Sequence, residues 1–434
     1  METKIFDLAD KIIVFLFFVQ VAILNFLNLS GLGIKIICMF ILIRMFFEML
    51  FRGKIHLFTL KNALCLVLIF FVGFLSARFG NNYHKDIFIS NILSILYSMI
   101  PLIYSSYIIN YRYDFVCHIV NHSISIVNFY FVLNMIISCI QVKIPGFMSG
   151  ISTWENPMHE DLICGLMGYS ATPQFGFFSM FVLILNLYYS DFCCAKNKKR
   201  HLFRLFSYSI IFFVVIISAF NDNKIVYIEL FLFLLFYLYI CGRLKSNHKK
   251  INKNNFNLLM IIISIIVLLL FLYISLPFVH EKIYNNFMYA VNLLGIAIKS
   301  NEAFGYGSAD RVYMVIYAFK KFNGFKLGYG MGSYIWHAGN ALGFKHFGQA
   351  DLGSFLCLGG FIFTVSVFSL WMNNYINIVY KKHNKSKIGY ISICIFFLLM
   401  FFYTQMISMN TINLIIIFCG IVFGIINREM VKRN

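Results

Sequence analysis

Residues 301–360 read NEAFGYGSADRVYMVIYAFKKFNGFKLGYGMGSYIWHAGNALGFKHFGQADLGSFLCLGG, a long stretch of mixed polarity. On both sides of it the chain consists of apolar runs and short basic connectors. That contrast decides the fold class. Runs of roughly 17–25 apolar residues are long enough to cross about 30 Å of hydrocarbon, and here they recur from end to end. The quoted stretch is expected to lie at one face of a bilayer, held there by the spans around it.

Composition agrees. Of 434 residues, 60% are apolar, 19% aromatic and 12% charged, whereas soluble domains carry about 25% charged residues. The expected fold is an all-α polytopic membrane protein. The net charge of +19 does not point to nucleic acid, because no soluble segment carries a basic stripe with interleaved aromatics. Most of the 11 cysteines fall inside apolar runs, so a disulfide framework is not expected. The first apolar run lacks a small-residue cleavage site and reads as a retained span.

In chain order, spans are expected at 11–29, 33–50, 58–78, 87–109 (with Pro101 near its middle), 115–140, 174–190, 205–219, 225–241, 256–277 and 352–377. Two more follow before the terminal REMVKRN, making about 12. With both termini cytoplasmic, the short outer connectors hold only Arg78, Lys85, Lys143 and Lys224, and the basic connectors fall inside. Sliding the topology by one span inverts that bias. The segments 142–173, 220–224 and 278–351 then all face outward, the last as a large loop. No internal repeat of the transporter type is evident.

Within the large loop, 308–322 (SADRVYMVIYAFKKF) reads as an amphipathic helix. Ser308 is placed to cap it, and Val312, Val315, Ile316 and Phe319 recur at helical spacing. Arg311 falls in its first turn, the unfavourable end for a cation. It reads either as a forked donor for a diphosphate or as a surface arginine, alone or paired with Asp310. The turn GYGMGSY (Gly328, Gly330, Gly332) lacks the strand before it and the acid after it that a nucleotide loop needs, so a plain turn is the simpler reading. His337 and His346 are candidate proton carriers, followed by Asp351, Glu160 and Asp161. Tyr306, Tyr329, Tyr334 and Trp336 suit either sugar stacking or an interfacial aromatic belt. His118 and His122 share a helix face and read as structural. No HExxH or paired-cysteine spacing occurs, so neither a metal nor another cofactor is expected. Inside the spans, Arg44 and Glu48 are four apart and able to pair. Lys35 and Lys61 are placed to snorkel, and Glu229 lies close in sequence to Lys224.

The pieces SAFNDNK, SADRVYMVIYAFKKFNGFKLGYGMGSY and HFGQADLGSFLCLGGFIF, with GLMGYSATPQFGFFSMF before them, resemble in order and sidedness the O-antigen and capsule polymerase/ligase superfamily. The resemblance covers roughly 160–365 and implies a GT-C-like glycosyltransferase of the bacterial cytoplasmic membrane. Such an enzyme joins undecaprenyl-diphosphate-linked repeats at the outer face, without a metal. It implies Lys224 and Arg311 at the donor diphosphate; Glu160, Tyr334 and Trp336, on the same side by the residues' own reading, are further candidate substrate contacts. It further implies His346 or His337 as the catalytic histidine, and a chain-length regulator as a partner. The chain departs from the family in having lysine at 224, and Gln349-Ala350-Asp351 where many members place a histidine. A ligase of the same superfamily and a lipid-linked oligosaccharide flippase are the alternative readings.

Overall fold

The apolar runs form helices because no backbone polar group can be left unpaired in hydrocarbon. The structure, a computed structural model, describes residues 2–52, 57–144, 146–148, 150, 162–168, 171–193, 199–221, 226–227, 229–230, 232–234, 237, 307–320, 327–336, 339–380 and 387–433. Its helices are α1 (Glu2–Val19), α2 (Ser30–Arg52), α3 (Leu57–Phe79), α4 (Lys85–Tyr111), α5 (Tyr113–Lys143), α6 (Thr172–Tyr188) and α7 (Lys199–Phe220). After these come α8 (Gly307–Lys320), α9 (Asp351–Val379), α10 (Lys387–Tyr403) and α11 (Asn410–Arg433). Short π-helical turns extend α1 to Leu24 and α6 to Cys193. A small antiparallel hairpin, β1 (Gly339–Ala341) and β2 (Phe344–Phe347), precedes α9.

Among the described residues, seven helices are long and apolar enough to cross a membrane: α3, α4, α5, α6, α7, α9 and α11. The chain is a polytopic membrane protein. α1 and α2 are not among the seven, and α10 has a shorter apolar stretch, Ile393–Tyr403. The expected eighth span is described only in part, and the ninth lies outside the described residues. Helices reach further than their apolar runs: α5 takes in residues 142–143, α6 begins at Thr172 and α9 at Asp351. Both expected loops, 142–173 and 278–351, are shortened accordingly.

α6 and α11 are central, each 83% buried over its apolar window, whereas α3 and α5 are only 28% buried and line the perimeter. α9 packs on α3, α4, α8, α10 and α11. Gly420 and Gly424 of α11 form a small-xxx-small pair against α9. A side chain at Gly420 would come within 2.8 Å of the Tyr375 ring, so the glycines set how closely the two backbones approach. Amide side chains add polar ties between helices. Asn374 donates to Asn62 (2.9 Å), Trp371 Nε1 to Asn413 (2.8 Å), and Asn128 and Asn186 exchange bonds of 2.9 and 2.8 Å.

Charges gather at the end of the bundle holding the N-terminus. The Arg44 guanidinium donates to Asp10 through Nε (2.7 Å) and to Glu48, the i,i+4 partner expected from the sequence. Arg112 pairs with both Asp7 and Asp10. Tyr104 and Tyr107 hydroxyls donate to Asp10 (2.5 Å) and Glu48 (2.7 Å). Nearby, Arg428 donates to Ile378 O (2.8 Å) and Asn110 Oδ1 (2.9 Å). The buried Asp10, Arg44 and Glu48 thus meet opposite charge, the two acids also accept from tyrosine hydroxyls, and Arg428 is met by carbonyl and amide oxygens, conditions under which burial is tolerable. Removing one partner should be costly. Arg44→Ala, which takes the shared cation away from Asp10 and Glu48, is expected to destabilise by about 3–5 kcal/mol, seen as a lowered thermal midpoint in detergent. Adding Asp10→Asn and Glu48→Gln to it should restore part of the loss.

Candidate functional site

The site is built on a break in α9. Gly360 takes φ 75° and ψ 179° in mid-helix, a conformation open to glycine and costly for other residues. A straight helix would spend the carbonyls of Cys357 and Leu358 on its own next turn. Here they accept from Tyr329 N (2.7 Å) and Gly330 N (3.0 Å) of the glycine turn. The turn is stitched on its other side as well. Asn81 N donates to Tyr329 O (2.7 Å) and His84 N to Gly332 O (2.9 Å). Ser76 Oγ donates to Leu327 O (2.6 Å). Asn91, fully buried in α4, donates to the carbonyls of both Met331 and Tyr334 at 2.8 Å and accepts from Trp336 N (3.3 Å). Gly330 has φ 122°, and a side chain there would meet Gly80 Cα at 2.9 Å. GYGMGSY is therefore a tertiary plug, in line with its reading as a plain turn.

α8 lies on this assembly. The sequence places Val312, Val315, Ile316 and Phe319 on its inner face, but the buried residues are Tyr313, Met314, Tyr317 and Ala318. The period is right and the face is rotated by one position. Aromatic packing accounts for it: Tyr313 and Tyr317 pack on Phe344 of β2 (6.1 and 5.2 Å between centroids). Gly353 opens room for Met314, whose Cβ lies 2.8 Å from where a side chain at 353 would begin. The helix starts at Gly307, which puts Ser308 inside its first turn, and not in the capping position.

This rotation turns Arg311 toward the start of α9 and the end of α10. Its guanidinium sits over the Tyr403 ring, 4.5 Å from the centroid, and Nη2 donates to Gln349 Oε1 at 3.3 Å. Nε has no hydrogen-bond partner, and among the described residues no carboxylate pairs with the group. Asp310, its neighbour in sequence, is buried. Burial lowers the Arg311 pKa from its ordinary value, and the Tyr403 hydroxyl opposes the shift through its charge and a side-chain hydrogen bond; a guanidinium remains a cation at neutral pH regardless. The π-face and one amide oxygen orient the fork without neutralising it.

Asp351 has another job. It is buried, and its carboxylate accepts from Ile407 N (2.5 Å), Ser408 N (3.3 Å) and the Ser408 hydroxyl. Its own N–H donates to Thr404 O (3.1 Å). With Gln405 Nε2 donating to Gly348 O, these bonds pin the α10–α11 turn to the start of α9 and hold Tyr403 under Arg311. So occupied, the Asp351 carboxylate is a staple for the turn. Trp336 is packed into the same assembly. It is 1% exposed, its ring lies 4.7 Å from that of Phe355, and it offers no face to a sugar. Tyr334 stays half-buried, its ring 5.9 Å from that of Tyr329, and the pair keeps accessible surface.

His346 lies on β2, the strand packed against α8. The hairpin turns at Leu342 (φ 56°) and Gly343 (φ 85°), the two positive φ values of a type I′ connection. Lys224, Glu160, Asp161, His337 and Tyr306 lie outside the described residues. Glu229 is fully buried, and among the described residues neither of its carboxylate oxygens has a hydrogen-bond partner. The first loop closes over the same end of the bundle. Gln141 accepts from Cys164 N (3.0 Å) and Gly165 N (2.7 Å), Asn134 accepts from Leu166 N (2.5 Å), and Asn221 donates to Ile163 O (3.1 Å). Thr411 reaches Asn25 (3.2 Å), which donates to Met167 O. Sequence reasoning passed over Tyr403, Asn91, Asn134 and Gln141. Uncharged amides inside apolar spans were the available signal, since each needs a partner there.

No protein-family model, curated protein or solved structure matches the chain.

If Asp351 is a staple, removing its carboxylate orphans the Ile407 and Ser408 donors, each worth about 1–3 kcal/mol. Asp351→Ala is expected to lower the thermal midpoint in detergent and to expose the 404–409 turn to limited proteolysis. Asp351→Asn, which keeps one acceptor oxygen, should lose less on both counts.

Proposed function

We propose that the chain is a polysaccharide polymerase, a glycosyltransferase that joins undecaprenyl-diphosphate-linked oligosaccharide repeats at the outer face of the bacterial cytoplasmic membrane. The observation that carries this reading is Arg311. It is an oriented guanidinium with an unpartnered Nε and no carboxylate among the described residues, on a helix too short and too polar to span. A cation held in this way suits an anionic group with several acceptor oxygens, and a diphosphate matches the fork. The chain reads as a GT-C-like arrangement of 12 spans with both termini inside, so that residues 307–350 face outward.

In this reading the acceptor sugar hydroxyl attacks the anomeric carbon of the donor glycan. The new C–O bond forms as the bond from the anomeric carbon to the diphosphate oxygen breaks. The hydroxyl proton passes to a base, and undecaprenyl diphosphate leaves with the bonding pair. Arg311, with Lys224 as a second cation, meets the charge that develops on the leaving group, where fixed donors act most strongly. His346, carried on the strand beside α8, is the proposed base, with His337 as the alternative. Tyr334 and Tyr329 offer faces for sugar rings, and Glu160 is a proposed substrate contact. A chain-length regulator is a proposed partner.

The reading is tested with purified protein in detergent, given a synthetic undecaprenyl-diphosphate repeat unit with and without EDTA. A ladder of lipid-linked products that survives EDTA is the expected result. Arg311→Ala should reduce it by about 10²–10³-fold at normal protein level, and Arg311→Lys should recover only part, having lost the fork. An undiminished ladder from a well-expressed Arg311→Ala protein removes that residue from the mechanism. Transbilayer movement of the same lipid without a ladder would make the chain a transporter. Transfer only to a lipid A core acceptor would make it a ligase.

A further inference from the structure

A second site lies away from Arg311, in the half of the bundle that holds the N-terminus. Helices α1, α5, α6 and α11 leave between them a hollow of 280 Å³. Phe15, Phe18, Ile119, Val120, Phe181 and Phe418 make up much of its wall, and Lys11 and Ser123 are the polar side chains among the described residues lining it. Phe15 and Ile126 at its edge are 64% and 61% exposed, so it opens sideways onto the bilayer.

Its dimensions select the occupant. From Phe115 to Val127, both in the wall, α5 climbs about 18 Å at the helical rise. One leaflet of hydrocarbon is about 15 Å deep. The hollow thus runs from the membrane surface to mid-bilayer, the reach of one acyl chain. Left empty, the aromatic wall would forfeit its dispersion contacts on one side.

Charge selects the headgroup. Lys11 stands at the surface end and is exposed. The acids one turn and one residue before it are taken: Asp10 by Arg44 and Arg112, Asp7 by Arg112. Among the described residues no carboxylate pairs with Lys11, which leaves its ammonium for an anion at headgroup depth.

We infer that this groove is a binding site for an anionic phospholipid of the leaflet at the N-terminal end, with one acyl chain between α1 and α5 and its phosphate at Lys11. The inference is independent of the proposed activity, and its test needs no substrate. The thermal midpoint of the purified full chain is followed in detergent while phosphatidylglycerol, phosphatidylcholine with the same chains, or undecaprenyl phosphate is added. Phosphatidylglycerol is expected to raise the midpoint at a half-saturating concentration at least tenfold below that of phosphatidylcholine. Lys11→Glu should abolish that preference, and Ile119→Trp, which fills the groove, should remove the response to both phospholipids. Lys11→Glu alters an exposed charge and carries the test even where Ile119→Trp does not fold. Equal responses to the two phospholipids, an unchanged preference in Lys11→Glu, or a stronger response to undecaprenyl phosphate would each overturn the inference.

Discussion

Two backbone hydrogen bonds, from Tyr329 and Gly330 to the carbonyls of Cys357 and Leu358, are what the site depends on. Inside a bilayer a helix can break only where something else satisfies its freed groups. Here the glycine turn does so, and the break and the turn therefore require each other. Gly360 supplies the unusual torsion, Gly80 and Gly330 let two backbones touch, and Asn91 closes the far side. A polar segment that would otherwise drift over the membrane surface is built into the bundle. α8 then lies on the same half of α9, and Arg311 inherits its position from that contact.

The opposite end of the molecule solves a related problem with charge. Asp10, Arg44, Glu48 and Arg112 are expensive one at a time and tolerable as a network completed by Tyr104 and Tyr107. The two ends differ in completeness. At the N-terminal end each guanidinium meets carboxylates or carbonyls, whereas Arg311 meets a ring and an amide oxygen. A saturated network serves to hold helices together, and an unsaturated cation is free to take an outside ligand.

Much of this was legible in the sequence, and the gaps have physical causes. Helix ends such as those of α3, α4 and α6 lie within a few residues of the expected spans, because hydrocarbon thickness imposes a length that hydropathy reads directly. The Arg44–Glu48 pair followed from spacing along a single helix. The face of α8 did not, because on a helix flanked by both aliphatic and aromatic stripes only the partner surface decides which stripe is buried, and that partner, Phe344, sits on a hairpin with weak sequence signals. The acid at 351 invited a chemical reading. Its receptors at 407 and 408 are two backbone N–H groups and a serine, which no side-chain motif advertises. Tyr403 was hidden for a similar reason, as an aromatic at the end of an apolar run is unremarkable until something charged is laid on it.

The mode of attachment of residues 327–336 also bears on how such a protein changes over time. Four of its ties to the bundle run through main-chain N–H and C=O groups at 329, 330 and 332, and the ties from Ser76 and Asn91 likewise end on carbonyls. The segment's hydrogen-bonded anchorage thus owes little to its own side chains, which add packing through Met331 and Trp336. Positions such as 329, 334 and 335, partly or fully open to the surroundings, are at liberty to drift. A lineage can remodel what this surface meets while its mooring stays fixed, because the mooring is written in backbone and in a few glycines.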